Sequence, residues 1–212
     1  MGGDPDSACV LVGDQPKRRV EICVLAGGLS SRMGRDKARL RIGGQTMLAR
    51  VRATAVSMRL PVRVIRRDAV PRCGPLGGII TAFRRTRADT VLFLACDMPF
   101  VPVEMIQRIL RASDGGIRAV FAIVDGRSGF PFLIPRSTLA LVEDQRARGE
   151  FSLQRLAGKL EAVALRVRAS AVFNINTPEE MVLGARLAEK EIRERIKIRI
   201  TKKIKRRRPR ES

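Results

Sequence analysis

The 212 residues, 45% of them apolar, are enough to bury one substantial core, and the formal charge is +21. Histidine is absent from the sequence, which excludes Ser-His and Cys-His nucleophile pairs, the usual general base and the commonest zinc ligand. The chemistry left to the chain rests on carboxylates, lysine, arginine, backbone amides and hard metal ions, the means by which phosphate groups are handled.

The leader, residues 1–19, is polar and lacks the apolar stretch of a signal peptide, and no apolar run approaches the roughly 20 residues that span a bilayer. These features lead us to expect a soluble, cytoplasmic protein without a membrane partner. Cys9, Cys23, Cys73 and Cys96 show no CxxC spacing and read as reduced structural thiols.

Taken in chain order, VEICVL (20–25) is a β-branched apolar run ending in glycines, the pattern of a buried strand entering a loop. Residues 46–58 space Met47, Leu48, Val51, Ala55 and Met58 for a helix, and VRVI (62–65) follows as a strand. DAVPRCGPL (68–76) is a loop, 77–87 a helix, and TVLFLA (90–95) the most plainly buried strand. A helix over 103–110, a strand in IRAVFAIV, a loop over GRSGFPFLIP leading into an extended segment, a helix over 137–147 and a strand over 162–167 complete the order. In FNINTPEE (173–180), Thr177, Pro178 and Glu180 form a capping box that opens a last helix. The alternation predicts a three-layer α/β domain over 20–189 with a mostly parallel, mixed sheet.

Residues 190–212 hold 12 Lys and Arg against 3 Asp and Glu. By composition this tail is a frayed helix or disordered arm, open to nonspecific polyanion contact through counterion release.

Ligands of α/β sheets sit beyond the carboxyl ends of the strands, so the loops after Leu25, Ile65 and Ala95 should meet in one crevice. In the first of them, LAGGLSSRMGRDK (25–37), Gly27 and Gly28 allow backbone amides to approach phosphate oxygens, and Arg32 and Lys37 add positive charge. The loop is neither a Walker A nor a GxGxxG sequence. Asp97, in CDMPF, is a lone carboxylate at the mouth of an apolar strand, where it either meets Mg2+ and a substrate phosphate or caps the next helix. Asp68 either accepts hydrogen bonds from N1 and the 2-amino group of guanine or caps its proline-rich turn. Asn174 and Asn176 either offer uncharged oxygens to a ligand or satisfy a strand end. Arg127 and Ser128, in a GRSG turn, are weaker candidates, since ordinary turn chemistry accounts for them.

The strings LAGGLSSRMGRDK, GPLGGI (74–79), CDMPF and FNINTPEE, in that order, resemble the molybdenum cofactor guanylyltransferases over residues 20–187. The resemblance implies a Rossmann-like nucleotidyltransferase fold and transfer of GMP from GTP to molybdopterin cofactor with Mg2+, releasing pyrophosphate. By position it implies that Leu25, Ala26, Gly27, Gly28, Lys37, Asp68, Gly74 and Asp97 contact GTP. Arg32, Lys37 and Asp97 become the catalytic set, Asp97 also the metal ligand, and Asn174 and Asn176 the cofactor side. A recipient molybdoenzyme or a chaperone is the further partner implied, and nucleic acid would be met only nonspecifically, through the tail.

Two departures stand out: a strand and helix bearing a nucleotide-contacting Asn are usual in the family before GPLGG, whereas here only about ten residues join Met58 to Asp68, so that either the sheet has lost a strand on one side or VRVI substitutes for two; and the basic tail has no counterpart. Cytidylyl transfer to the same cofactor is the alternative within the class, since only the base pocket would differ. Sugar-nucleotide transfer is disfavoured by the lack of Leu-x-Pro after the glycine loop. A polyanion-binding protein with a decayed nucleotide site is the alternative outside the class.

Overall fold

The structure, a computed structural model, describes residues 18–27, 39–70 and 72–207. Its strands are β1 (Val20–Leu25), β2 (Arg41–Ile42), β3 (Gln45–Thr46), β4 (Val62–Ile65), β5 (Thr90–Ala95), β6 (Val120–Val124), β7 (Arg127–Pro135) and β8 (Val163–Arg166). Its helices are α1 (Met47–Ser57), α2 (Pro75–Arg85), α3 (Val103–Ala112), α4 (Leu139–Ala147), α5 (Leu153–Lys159) and α6 (Pro178–Arg207).

Six strands form one sheet in the order β4-β1-β5-β7-β6-β8, in which β7 alone runs antiparallel to its neighbours. Strand alternation divides the core between the two faces. Cys23, Leu25, Ile65, Phe93, Phe121 and Phe132 point toward α2, α4 and α5, whereas Ile22, Val24, Leu92, Leu94 and Leu133 point toward α1 and α3. The result is the expected three-layer α/β architecture with a mixed sheet. The aromatic centre of the first face is a stack in which Phe132 lies 5.0 Å from Phe93 and 4.7 Å from Phe121, ring centre to ring centre.

Cys23 and Cys73 are buried on the first face and Cys96 packs against the second, and no disulfide joins them. Burial, aided by the neighbouring Glu21 charge, pushes the Cys23 thiol up to about 12, so it stays protonated and unreactive. Cys9 lies outside the described residues.

Local chemistry sets the element boundaries. Thr46 caps α1 by accepting from the Ala49 amide at 3.1 Å. At α6 the Glu180 carboxylate accepts from the amides of Asn176 and Thr177 at 2.6 and 2.9 Å, and the Glu180 amide donates back to Thr177 Oγ1 at 3.2 Å, completing the predicted capping box. The helix then crosses residue 190 without a break and reaches Arg207.

Three features correct the sequence reading. GRSGFPFLIP is a strand from Arg127 onward, not a loop, and the turn lies one step earlier at Asp125-Gly126, where both residues have positive φ. Glycine and proline disguised the strand. Its register against β6 slips between Phe121↔Phe132 and Ala122↔Gly129, so Phe130 and Pro131 occupy a bulge where a missing amide donor costs little. The stretch after the glycine loop contains the β2-β3 hairpin, turned by Gly43 and Gly44, and α5 was not foreseen.

Because Phe132 sits between two stacked rings at 0% exposure, Phe132→Ala should cost about 3–5 kcal/mol in urea unfolding. A loss below about 1 kcal/mol would contradict this account of the core.

Candidate functional site

The three parallel strands β4, β1 and β5 end on one line. Leu25 pairs with both Ile65 and Ala95, and the pairing runs one residue past the strands. The Ala26 amide donates to Ile65 O at 2.7 Å and the Cys96 amide to Leu25 O at 3.0 Å. The loops that begin at Ala26, Arg66 and Cys96 therefore leave the sheet side by side, as the expected crevice requires.

Gly27 lies flat against the second of these loops, where a Cβ would come within 2.8 Å of Arg66 O. Only glycine permits that approach. Gly28, Arg32 and Lys37 lie outside the described residues.

Asp68 stands at the start of α2. A Cβ on Gly77, in the first turn of that helix, would meet Val70 O at 2.4 Å and Asp68 Oδ2 at 3.2 Å, so the missing side chain lets the carboxylate pack onto the helix start. Partial burial raises the Asp68 pKa above the ordinary carboxylate value. Gly74 is the residue before α2 and holds φ of 53°, a conformation that favours glycine. Motif GPLGGI thus builds the turn and the close helix approach that position Asp68. Gly77 was passed over in the sequence reading, although its place in the motif was visible.

Asp97 is half-buried in the turn directly after β5. It is not a helix cap, because α3 begins six residues later behind Pro102. The FNIN segment crosses over it, with the Ile175 amide donating to Asp97 O at 2.9 Å. Phe100 and Phe173 from the same two segments face each other at 6.5 Å. Asn174 and Asn176 thus flank the Asp97 backbone. Asn174 Oδ1 is buried with no hydrogen-bond partner among the described residues, a costly state that a ligand or cation would relieve. The Asn176 amide is held by Glu180 at the start of α6.

Mg2+ suits this donor set, since Asp97 and Asn174 offer hard oxygens and Mg2+ takes one or two carboxylates together with substrate phosphates. Among the described residues no group of three or more His, Cys, Asp or Glu gathers into a cage of protein ligands. Arg127 and Ser128 lie elsewhere, in the β6-β7 hairpin, where Ser128 donates its amide to Gln154 Oε1.

One support of the site escaped the sequence reading. Arg50, on α1, places its guanidinium 4.9 Å from the centre of the Phe100 ring and pairs with Glu191 of α6. This contact fastens the loop after Asp97 to two helices. No local pattern in the sequence links residues 50, 100 and 191.

Comparison with known proteins places this arrangement in a family. A model of the MobA-like NTP transferase domain matches residues 22–66 and again 52–163. The chain belongs to the MobA-like NTP transferase family. It is 35% identical to a probable molybdenum cofactor guanylyltransferase of Opitutus terrae, over 74% of this chain and 90% of the other. A molybdenum cofactor guanylyltransferase of Rhizobium leguminosarum is 31% identical over 78% and 91%. Among solved structures, the molybdopterin-guanine dinucleotide biosynthesis protein A of Archaeoglobus fulgidus superposes with a TM-score of 0.61 at 20% identity, covering 80% of this chain and 99% of that one. A cytidylyltransferase of Thermus thermophilus, acting on 2-C-methyl-D-erythritol 4-phosphate, gives 0.62 at 18%, over 81% and 99%. At those identities the two structures establish the fold.

The two matched spans overlap over residues 52–66, the end of α1 with β4, and β4 is the edge of the sheet among the described residues.

Two outcomes test this geometry. Gly77→Ala should lower stability in urea by about 1–3 kcal/mol, whereas Gly158→Ala, with nothing within 4 Å of the added methyl, should be neutral or stabilising. For Asp68 the raised folded-state pKa means that the native state holds the proton more tightly, so its favourable contribution is complete below the unfolded pKa and is lost as pH rises through the folded one. Asp68→Asn should therefore be more stable than the parent at pH 7, with the gain vanishing below about pH 4. A gain that does not vary with pH would count against a buried carboxylate.

Proposed function

We propose that this chain transfers GMP from GTP to the terminal phosphate of the molybdenum-molybdopterin cofactor, releasing pyrophosphate. The observation that carries the reading is the junction of Asp97 with the FNIN segment, at the end of three parallel strands, in a member of the MobA-like family.

The reaction needs an oxygen of the cofactor phosphate to attack the α-phosphorus of GTP in line. A new P–O bond forms as the bond to the bridging oxygen breaks, and that oxygen leaves with the electron pair as part of pyrophosphate. The attacking oxygen carries no proton that must be removed, so positioning and electrostatics suffice, in keeping with a sequence that contains no histidine. Leu25, Ala26, Gly27 and Gly28 supply backbone along the triphosphate, with Arg32 and Lys37 neutralising its charge. Gly74 shapes the far wall. Asp68, fixed against Gly77, accepts from the N1 and 2-amino donors of guanine. Asp97 is the residue that would hold Mg2+, whose contribution when bound is to offset charge at the α-phosphate. Asn174 and Asn176, joined to Asp97 through Ile175, face the acceptor cofactor.

A second reading, cytidylyl transfer to the same acceptor, shares every phosphate contact and differs only at Asp68. It is favoured by the absent strand-helix unit with its Asn, which leaves the base less enclosed. Thermal unfolding with GTP or CTP, each with Mg2+, separates the two, because the nucleotide that binds selectively raises Tm. We expect a rise with GTP only; a rise with CTP alone would transfer the assignment to the second reading.

Asp97→Asn should reduce pyrophosphate release with GTP, Mg2+ and molybdopterin cofactor by at least a hundredfold while leaving Tm within a few degrees of the parent. Near-normal turnover in that variant would remove Asp97 from the mechanism.

A further inference from the structure

α6 has two unlike halves. Its first half closes a small core, in which Ala188 packs with Ile42, Met47 and Ile175, and Glu191 holds Arg50. Among the side chains described, the last found against the domain is Ile192, whose Cδ1 lies 3.6 Å from the place a Cβ on Gly43 would take. Beyond it, residues 193, 194, 196–198 and 201 are all exposed. The bonds of that stretch, among the described residues, join the helix to itself: Lys197 pairs with Glu194 at 3.6 Å and Thr201 Oγ1 donates to Lys197 O at 2.9 Å. Residues 193–207 thus form a helical arm about 22 Å long that leaves the domain.

The sequence of this arm holds nine Lys and Arg and a single Glu. Like charges at helical spacing repel one another, and a free helix of this length is marginal in water. A ligand that offsets the repulsion would stabilise the arm. The family match ends at residue 163, well before the arm.

We propose that the arm is a sequence-independent docking element for the phosphate backbone of duplex DNA. The distribution of charge favours a groove over a flat surface. At the helical period the nine Lys and Arg of 193–207 fall on every side of the helix, and Arg193, Lys203 and Arg207 fall within the row of isoleucines at 192, 196, 200 and 204, so that row is interrupted by charge and makes no wide apolar face for a bilayer. The major groove of B-DNA admits a helix and sets phosphates along both of its walls, whereas the deep, narrow major groove of duplex RNA does not. Residues 193–212 contain no Asn, Gln or aromatic residue, in keeping with contact to phosphates rather than base edges.

The test is fluorescence anisotropy of a labelled 20-base-pair DNA duplex with the full chain, from 50 to 200 mM salt. We expect affinity to fall about a thousandfold over that range with a log-log slope near about −5, the behaviour of roughly six neutralised phosphates. A variant ending at Ile192, which retains the described domain contacts of α6, should lose at least a hundredfold in affinity at 50 mM salt. Arg193→Gln with Lys197→Gln should reduce the slope by about 2. Both variants should keep the parent Tm and, if the proposed GMP transfer holds, its rate. Equal DNA binding by the shortened chain, tighter binding to duplex RNA, or binding to phosphatidylserine vesicles at least as tight as to DNA would overturn the proposal.

Discussion

The common end of β4, β1 and β5 is the constraint on which the rest of the molecule depends. Strand β1 pairs along both edges and is covered on both faces, so its register against each neighbour cannot slip without turning a whole set of apolar side chains to the wrong layer. That rigidity is what delivers three loops to one place. Ala26, Arg66 and Cys96 begin their loops as backbone neighbours, and the later contacts between those loops follow from the short distances so imposed. Gly27 against Arg66 O and Gly77 against Val70 O are the two points where the approach leaves no room for a side chain.

The second organising element is the return of the chain at FNIN. The segment lies almost eighty residues after Asp97 in sequence, yet one backbone hydrogen bond from Ile175 ties the two together. Its neighbours make the tie durable: Ile175 is fully buried with Met47 and Ala188, and the capping box at Thr177 starts α6 immediately afterwards. Arg50 adds a third support by meeting Phe100 and Glu191 at once. The first half of α6 is therefore part of the site's frame, which explains why its sequence is apolar and acidic where the arm beyond it is basic.

Much of this was legible in the sequence because it depends on local signals. VRVI and TVLFLA coincide with β4 and β5 to the residue, and Thr177, Pro178 and Glu180 announced the start of α6. What escaped was nonlocal or disguised. Strand β7 carries Gly129 and Pro131, which read as loop residues because nothing local signals a bulge. The Asp97 cap reading failed because the chain runs through Pro99 and Pro102 before it turns helical, and the second of these prolines takes the cap position. The support from Arg50 joins three elements that meet only in space. The crevice itself followed from a topological rule, but its partners across FNIN required the fold.

The edge position of β4 bears on the proposed choice of base. Where a further strand and helix would cover this side, the chain presents a four-residue strand with Arg63 on it and Arg66 and Arg67 just beyond. Positive charge and brevity keep such an edge from pairing with other chains, so the deletion is compatible with a stable sheet. On the proposed reading it also leaves one side of the base open. On that reading the groups left to discriminate a base are those of the 68–77 loop, where Asp68 lies against the start of α2 beside Gly77. A carboxylate whose burial already disfavours its charge gains most from two donors placed together. Guanine presents that pair on its N1 and 2-amino groups, and cytosine does not. On the proposed reading, then, the loss of a strand does not loosen selectivity; it concentrates selectivity on one residue whose position α2 fixes.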